Sequence, residues 1–340
     1  MAGCGANNGK TPNGKCAKYI NRMGLMVART LDIRLDQRVR ISRFFIVLAA
    51  AFAGTSVGRC QNREVPGREL LRFPIGLIAE PAALPGMFSG GFWNPAAAVL
   101  PDGTRWRVAA GAMSTPSDVS VNASAGAVTA MWRGSSLSLS VLRASVAGVV
   151  RTESDPLTIA NDVQYSTIVT SLGIARSVRG NLAWGLAARV RSGQIDTDLR
   201  TSVALDGGVV LEHLTRLDAR FGLSTLLASP WSGGREHATF IGGADLRLFR
   251  ADSDRFVRAG VSAMTTQGGE SEQFAFASGR YGVWEVRGGP VRTSAFGAEN
   301  FRTRMAIAVH YIGYSVGIAR EGSPSGLGPS YQFVLSSLIR

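Results

Sequence analysis

The chain has 340 residues, of which 45% are hydrophobic and 18% charged, and 41 are glycine. That balance excludes a disordered chain, a charge-rich coiled coil and a collagen repeat, and leaves a glycine-rich, mildly apolar β-type domain. The net charge of +13 invites a nucleic-acid partner, but residues 1–60 hold ten Lys and Arg against Asp32 and Asp36. Beyond residue 60 the arginines are interleaved with acids, so no nucleic-acid face is expected.

Residues 1–37 are polar, then basic, without a sustained hydrophobic period, and read as a non-native or disordered extension ahead of a start near Met23, Met26 or Val39. Residues 38–60 read as a signal peptide. The basic cluster of Arg38, Arg40 and Arg43 precedes an apolar run over 44–53, and small residues follow. Ten apolar residues are too few to cross a bilayer as a helix, which needs about 20. The alternative is a short buried core helix. Cleavage after Ala53 or Gly58 would start the mature chain between Gly54 and Gln61. Cys4, Cys16 and Cys60 all fall in this leader, so the rest of the chain has no thiol nucleophile, disulfide framework or cysteine metal site. Arg59 stands where lipid attachment at Cys60 would need a small residue.

Residues 61–104 hold six of the 13 prolines: Pro66, Pro74, Pro81, Pro85, Pro95 and Pro101. Repeated proline interrupts both ladders and helices, which predicts an irregular segment with short helical turns.

From residue 105 the pattern changes to a period of two. Leu182, Trp184, Leu186, Ala188 and Val190 alternate with Ala183, Gly185, Ala187, Arg189 and Arg191; Met305, Ile307, Val309 and Tyr311 alternate with smaller or polar residues. Successive strand side chains point to opposite faces, so these are strands. Turn-forming residues at 115–118, 133–135, 179–181, 251–254 and 322–326 divide the region into about thirteen strand candidates. A closed barrel with both termini at one end needs an even number, hence twelve or fourteen. The ambiguity lies in 272–290, one long strand or a hairpin at Ser278-Gly279-Arg280.

The second face identifies the surroundings. A water-facing sheet surface would be rich in Lys and Glu, yet no lysine follows Lys18. This face instead carries Gly, Ala and Ser with Arg189, Arg191, Arg220, Arg247, Arg258, Asp206, Asp218, Asp245 and Glu212. That is the inside of a barrel whose outside meets lipid. The expected fold is all-β, an antiparallel transmembrane β-barrel over 105–340 in the outer membrane of a diderm bacterium. Arg189, Arg191, Arg220, Asp245 and Arg247 are its lumen polar candidates; Met305, Ile307, Val309 and Val316 face lipid. A secreted or periplasmic soluble β protein is the alternative. The six tryptophans suit interfacial girdles or packed wall positions.

No catalytic or cofactor motif accompanies this pattern. There is no phosphate-binding loop, no helix-borne HExxH and no serine elbow between a strand and a helix. His213, His237 and His310 are far apart and suggest no metal site; His310 reads as a lumen polar group. A hydrolase assembled from distant strands stays open as a less favoured alternative.

Just ahead of the first strand lies Ser89-Gly90-Gly91-Phe92-Trp93-Asn94-Pro95-Ala96. A small-Gly-x-x-Asn-Pro-Ala stretch at this place resembles the FadL-like long-chain fatty-acid transporters and their PorV-type relatives. The detailed match is confined to residues 90–100, with general architecture over 100–340. The resemblance implies that 61–104 folds inward as a plug, with Gly90, Gly91, Asn94, Pro95 and Ala96 as structural plug residues. An ordinary Asn-Pro turn opening a helix, with Pro95 at its first position, is the plainer reading and is compatible with a plug. The resemblance further implies a non-enzymatic barrel that binds or passes a small hydrophobic solute. The alternative is a PorV-like accessory barrel whose partner is a secreted protein. Outer-membrane lipids are partners in either case, and no cofactor is implied.

Overall fold

Alternation from residue 105 onward becomes one closed antiparallel sheet. The computed structural model describes residues 64–340 except 73–74, 89–90, 117–118, 150–162, 179–180, 215–217, 229–235, 253, 296 and 323–327. The expected extension and signal peptide lie outside the described residues. The strands are β1 (Trp106–Ser114), β2 (Val121–Trp132), β3 (Ser135–Val146), β4 (Tyr165–Val178), β5 (Leu182–Ile195), β6 (Asp198–Leu211) and β7 (Arg220–Leu226). They continue as β8 (Thr239–Asp252), β9 (Arg255–Thr266), β10 (Ser271–Tyr281), β11 (Trp284–Ala295), β12 (Ala298–Tyr311), β13 (Tyr314–Glu321) and β14 (Ser330–Ile339). Each pairs with its sequence neighbours, and β14 closes onto β1, Trp106 opposite Ile339. Fourteen strands agree with the even number that closure demands.

The hairpin in the ambiguous stretch falls at residues 282–283, where Gly282 has φ +60°. Ser278, Gly279 and Arg280 stay inside β10, paired on both sides. Two-residue turns at 133–134, 282–283 and 312–313 lie at the end that carries both barrel termini, and one at 196–197 lies at the other end. The opposite end carries the long connections 147–164 and 227–238. Short turns face the periplasm and long loops the exterior in bacterial barrels, which orients the molecule.

The distribution of side chains is inverted relative to a water-soluble protein. The largest fully buried side chains are Arg189, Arg191 and Arg304, whereas Met305, Val316, Phe333 and Val261 are each more than half exposed on the outer wall. Ile307 is exposed and Val309 half-buried. Such a wall is stable only against hydrocarbon, and ring closure leaves no unpaired sheet edge there. Trp106, Trp132, Tyr281, Trp284, Tyr311 and Tyr314 are exposed at the periplasmic strand ends, the depth at which amphipathic rings sit. Trp93 is buried inside instead, donating from Nε1 to the Ile75 carbonyl at 3.0 Å. Among the described residues no helix is long and apolar enough to cross a membrane.

The described residues of 64–104 include no strand. They contain two short 3-10 helices, Arg68–Arg72 and Pro95–Ala98, and lie against inward-facing side chains of the wall. The wall is hollowed to receive them. Gly185 of β5 stands opposite Gly208 of β6, and Gly222 of β7 opposite Gly243 of β8. A Cβ on Gly185 would collide with the Pro95 backbone, and one on Gly208 with Oδ1 of Asn94. Part of the unusual glycine content therefore serves close approach of a second chain segment.

Candidate functional site: a filled lumen and an outer cavity

Asn94 organises the inward segment. Its backbone is extended (φ −134°, ψ 112°), as a residue before proline prefers, and Pro95 opens the 3-10 helix behind it. The Asn94 Oδ1 accepts from the Ala96 N–H at 3.0 Å. Its Nδ2 donates to the Ala83 carbonyl at 2.6 Å and to the Val209 carbonyl of β6 at 3.3 Å. One amide thus caps a helix, closes the 83–94 lobe and fastens it to the wall. The Asn-Pro turn and the inward segment are the same structure. Gly91 has φ +75°, and a Cβ there would press on the Cβ of Ala98; Pro95 and Ala96 are buried. Gly90 lies outside the described residues.

The lumen polar candidates divide into two groups. Arg189 and Arg191 touch the inward segment. The Arg189 guanidinium lies 4.9 Å from the Phe92 ring centroid, binds the Phe92 carbonyl and Ser171 Oγ, and pairs with Asp206. Arg191 donates to the Val65 and Pro66 carbonyls at 2.6 and 2.8 Å and to Glu236 at 2.7 Å. Arg220, Asp245 and Arg247 belong to a ladder nearer the periplasm. Asp245 binds Arg220 and Arg258, and Asp218 binds Arg258 and Arg247 at 2.6 and 2.8 Å. Burial raises the Asp218 carboxyl, but Arg258, Arg247 and His213 outweigh it and hold the group below the ordinary carboxylate range.

Several functional contacts had no sequence signal beyond an inward-facing charge. Glu80 accepts the Met87 N–H on both oxygens, at 2.8 and 2.9 Å, and pairs with Arg287 of β11. Arg287 also binds Glu285, whose other oxygen lies 2.8 Å from His310 Nε2; His310 Nδ1 lies 2.8 Å from Ser315 Oγ. On the exterior side Glu236 collects Arg191, Arg68 and Ser202. Asp206 accepts the N–H groups of Leu227 and Ala228, so the chain leaving β7 turns into the lumen, where Leu226 and Leu227 are buried.

Above the inward segment, at the exterior end, lies a cavity of about 460 Å³. Leu70, Leu71, Trp93, Leu226, Leu227 and Met264 make its apolar surface, and Arg68, Glu272, Arg302 and Glu321 are among its polar lining. The volume lies within the range of sites that enclose a small organic molecule, about 300–1,000 Å³.

A closed barrel with a lipid-facing wall defines an outer-membrane barrel, and residues 64–104 lie against the inner side of that wall. Known structures share the fold. CymD, a monoaromatic hydrocarbon channel, aligns with a TM-score of 0.54 at 11% identity, over 82% of this chain and 98% of that one. The toluene transporter TodX of Pseudomonas putida gives 0.52 at 9% identity, over 82% and 98%. The toluene transporter TbuX of Ralstonia pickettii gives 0.50 at 12%, over 78% and 96%. At these identities the likeness is one of fold. No protein-family model and no curated sequence matches the chain.

Proposed function

We propose that this barrel admits a small hydrophobic solute through the exterior cavity and passes it across the outer membrane without catalysis, the inward segment setting the path. The cavity carries the reading: its apolar surface is built jointly by residues 70–93 (Leu70, Leu71, Trp93) and by the end of β7 and the residue after it (Leu226, Leu227). A solute seated there contacts the parts that must shift to let it through. Burial of apolar surface, about 25 cal/mol per Å², supplies its affinity. The fold shared with hydrocarbon channels supports the same reading.

The test is displacement of the neutral dye N-phenyl-1-naphthylamine from detergent-purified protein, with Leu70→Asp and Leu226→Asp as cavity variants. Saturable binding, weakened at least tenfold by either change in a folded barrel, supports the reading. Binding unaffected by both changes overturns it, and co-purification of an exported protein without dye binding would favour the accessory role.

One arrangement bears on a hydrolase. Ser315, His310 and Glu285 lie in line as nucleophile, base and acid. Ser315, however, is paired with His310 on one side and Ser336 on the other, so its backbone N–H belongs to the ladder rather than to an oxyanion hole. Glu285 is shared with Arg287. The line is a structural brace, and a fluorophosphonate probe should leave Ser315 unlabelled.

A further inference from the structure

Among the described residues, each arginine that lines the cavity has a carboxylate partner. Arg302 donates from Nη2 to Glu272 Oε2 at 2.7 Å, from Nη1 to Thr293 Oγ1 at 3.0 Å, and from Nε to Glu321. Behind it Arg304 donates from Nη2 to Glu272 Oε1 at 3.0 Å and from Nε to Glu321 Oε2 at 2.6 Å. The other face of that guanidinium lies 5.1 Å from the Phe274 ring centroid. Two carboxylates therefore bridge two guanidiniums in a closed, neutral ring. The remaining arginine of the lining, Arg68, spends Nη1 on Glu236 and Nη2 on Thr239, at 3.2 and 2.8 Å. A solute carboxylate entering this apolar space would lose its water and find each lining guanidinium already held by a carboxylate, which is unfavourable. An uncharged solute meets no such barrier.

We propose that Glu272 and Glu321 are the charge selector of the cavity: by holding Arg302 and Arg304 they leave no cation for a solute carboxylate, so the site takes uncharged apolar solutes and turns carboxylates away. The inference rests on the proposed function, because it concerns the solute that enters the same cavity. It assigns specificity to two acids that never need to touch the solute's apolar body.

The experiment compares 1-octanol with octanoate at pH 7.5, as competitors of the same neutral dye. Octanol serves as the reference for chain burial, and the readout is the octanoate-to-octanol affinity ratio. In the double variant Glu272→Gln, Glu321→Gln the ratio should rise at least tenfold. Adding Arg302→Gln to it should cancel most of that gain. Arg302→Gln alone leaves Glu272 and Glu321 with one guanidinium, a net negative ring, so the ratio should fall or stay at the wild-type value and should not rise. An unmoved ratio in a folded double variant overturns the selector. So does a tenfold rise of the ratio in Arg302→Gln alone, which remains informative if the double variant fails to assemble. If neither competitor displaces the dye from wild-type protein, the solute site itself is wrong and the selector falls with it.

Discussion

Asn94 and Gly208 occupy one space: the Asn94 carboxamide lies where a side chain on Gly208 would stand, and its Nδ2 donates to the neighbouring Val209 carbonyl. A Gly208→Val barrel keeps a residue well suited to a strand but loses the seat of the inward segment. Asn94→Ala removes three hydrogen bonds and leaves buried partners unmet, about 1–3 kcal/mol for each unsatisfied group. Both variants, like deletion of residues 86–98, should remain heat-modifiable barrels with raised single-channel conductance. Wild-type conductance in all three would mean that the lumen is closed by wall side chains.

The outer wall makes a depth-dependent prediction. Ile307 lies mid-strand in β12, opposite Val286 and Ile318, while Leu199 stands at the exterior end of β6. Ile307→Arg should destabilise folding into vesicles by roughly 2–4 kcal/mol, and Leu199→Arg by about 0–1 kcal/mol. Equal effects in chemical denaturation would contradict a lipid-facing wall. Ala308→Arg is no control for the inside, because Ala308 is buried beside Gly317, whose own inward space is filled by Ile78.

The wall was legible because its rule is local. Parity alone told Arg189 and Arg191 from Leu186 and Val190. Hairpin position was less so: Gly279 and Gly282 both suit a turn, and only pairing with β9 and β11 places Gly279 inside a strand. Leu227 continues the apolar pattern of β7, yet the chain leaves the wall there because Asp206, on another strand, accepts the Leu227 and Ala228 N–H groups. The partners of inward charges were not legible at all. Glu80 meets Arg287 across 207 positions and Glu272 meets Arg302 across 30, and no local pattern encodes such choices. Asn94 was found through a short motif, but its three bonding partners appear only in the folded chain.

Glu236 fastens the connection after β7. It is buried and binds Arg191 of β5, Ser202 of β6 and Arg68 of the inward segment. Glu236→Ala strands Arg191 without its carboxylate, and breaking a buried pair from one side costs about 3–5 kcal/mol. Most of that should appear locally, as faster amide exchange at Leu227 and Ala228 and earlier proteolysis of the 227–238 connection on intact cells. Unchanged exchange at both amides would show that the connection holds without this tie.

Asp218 gives the periplasmic end a dependence on pH. It lies in the turn between β6 and β7 and receives Arg258, Arg247 and His213. Its carboxyl is held below the ordinary range despite burial, so the folded state favours the charged form. Stabilisation of this sign is complete above the unfolded-chain value, about 3.9, and is lost as pH falls through the lower folded value. Asp218→Asn should therefore be less stable than wild type throughout pH 8 to about 5. The two should converge under stronger acid, where the wild-type carboxyl is protonated as well. Denaturation midpoints in vesicles at pH 8, 6 and 3 would measure this. A margin that persists undiminished at pH 3 would assign the effect to hydrogen-bond geometry instead of charge.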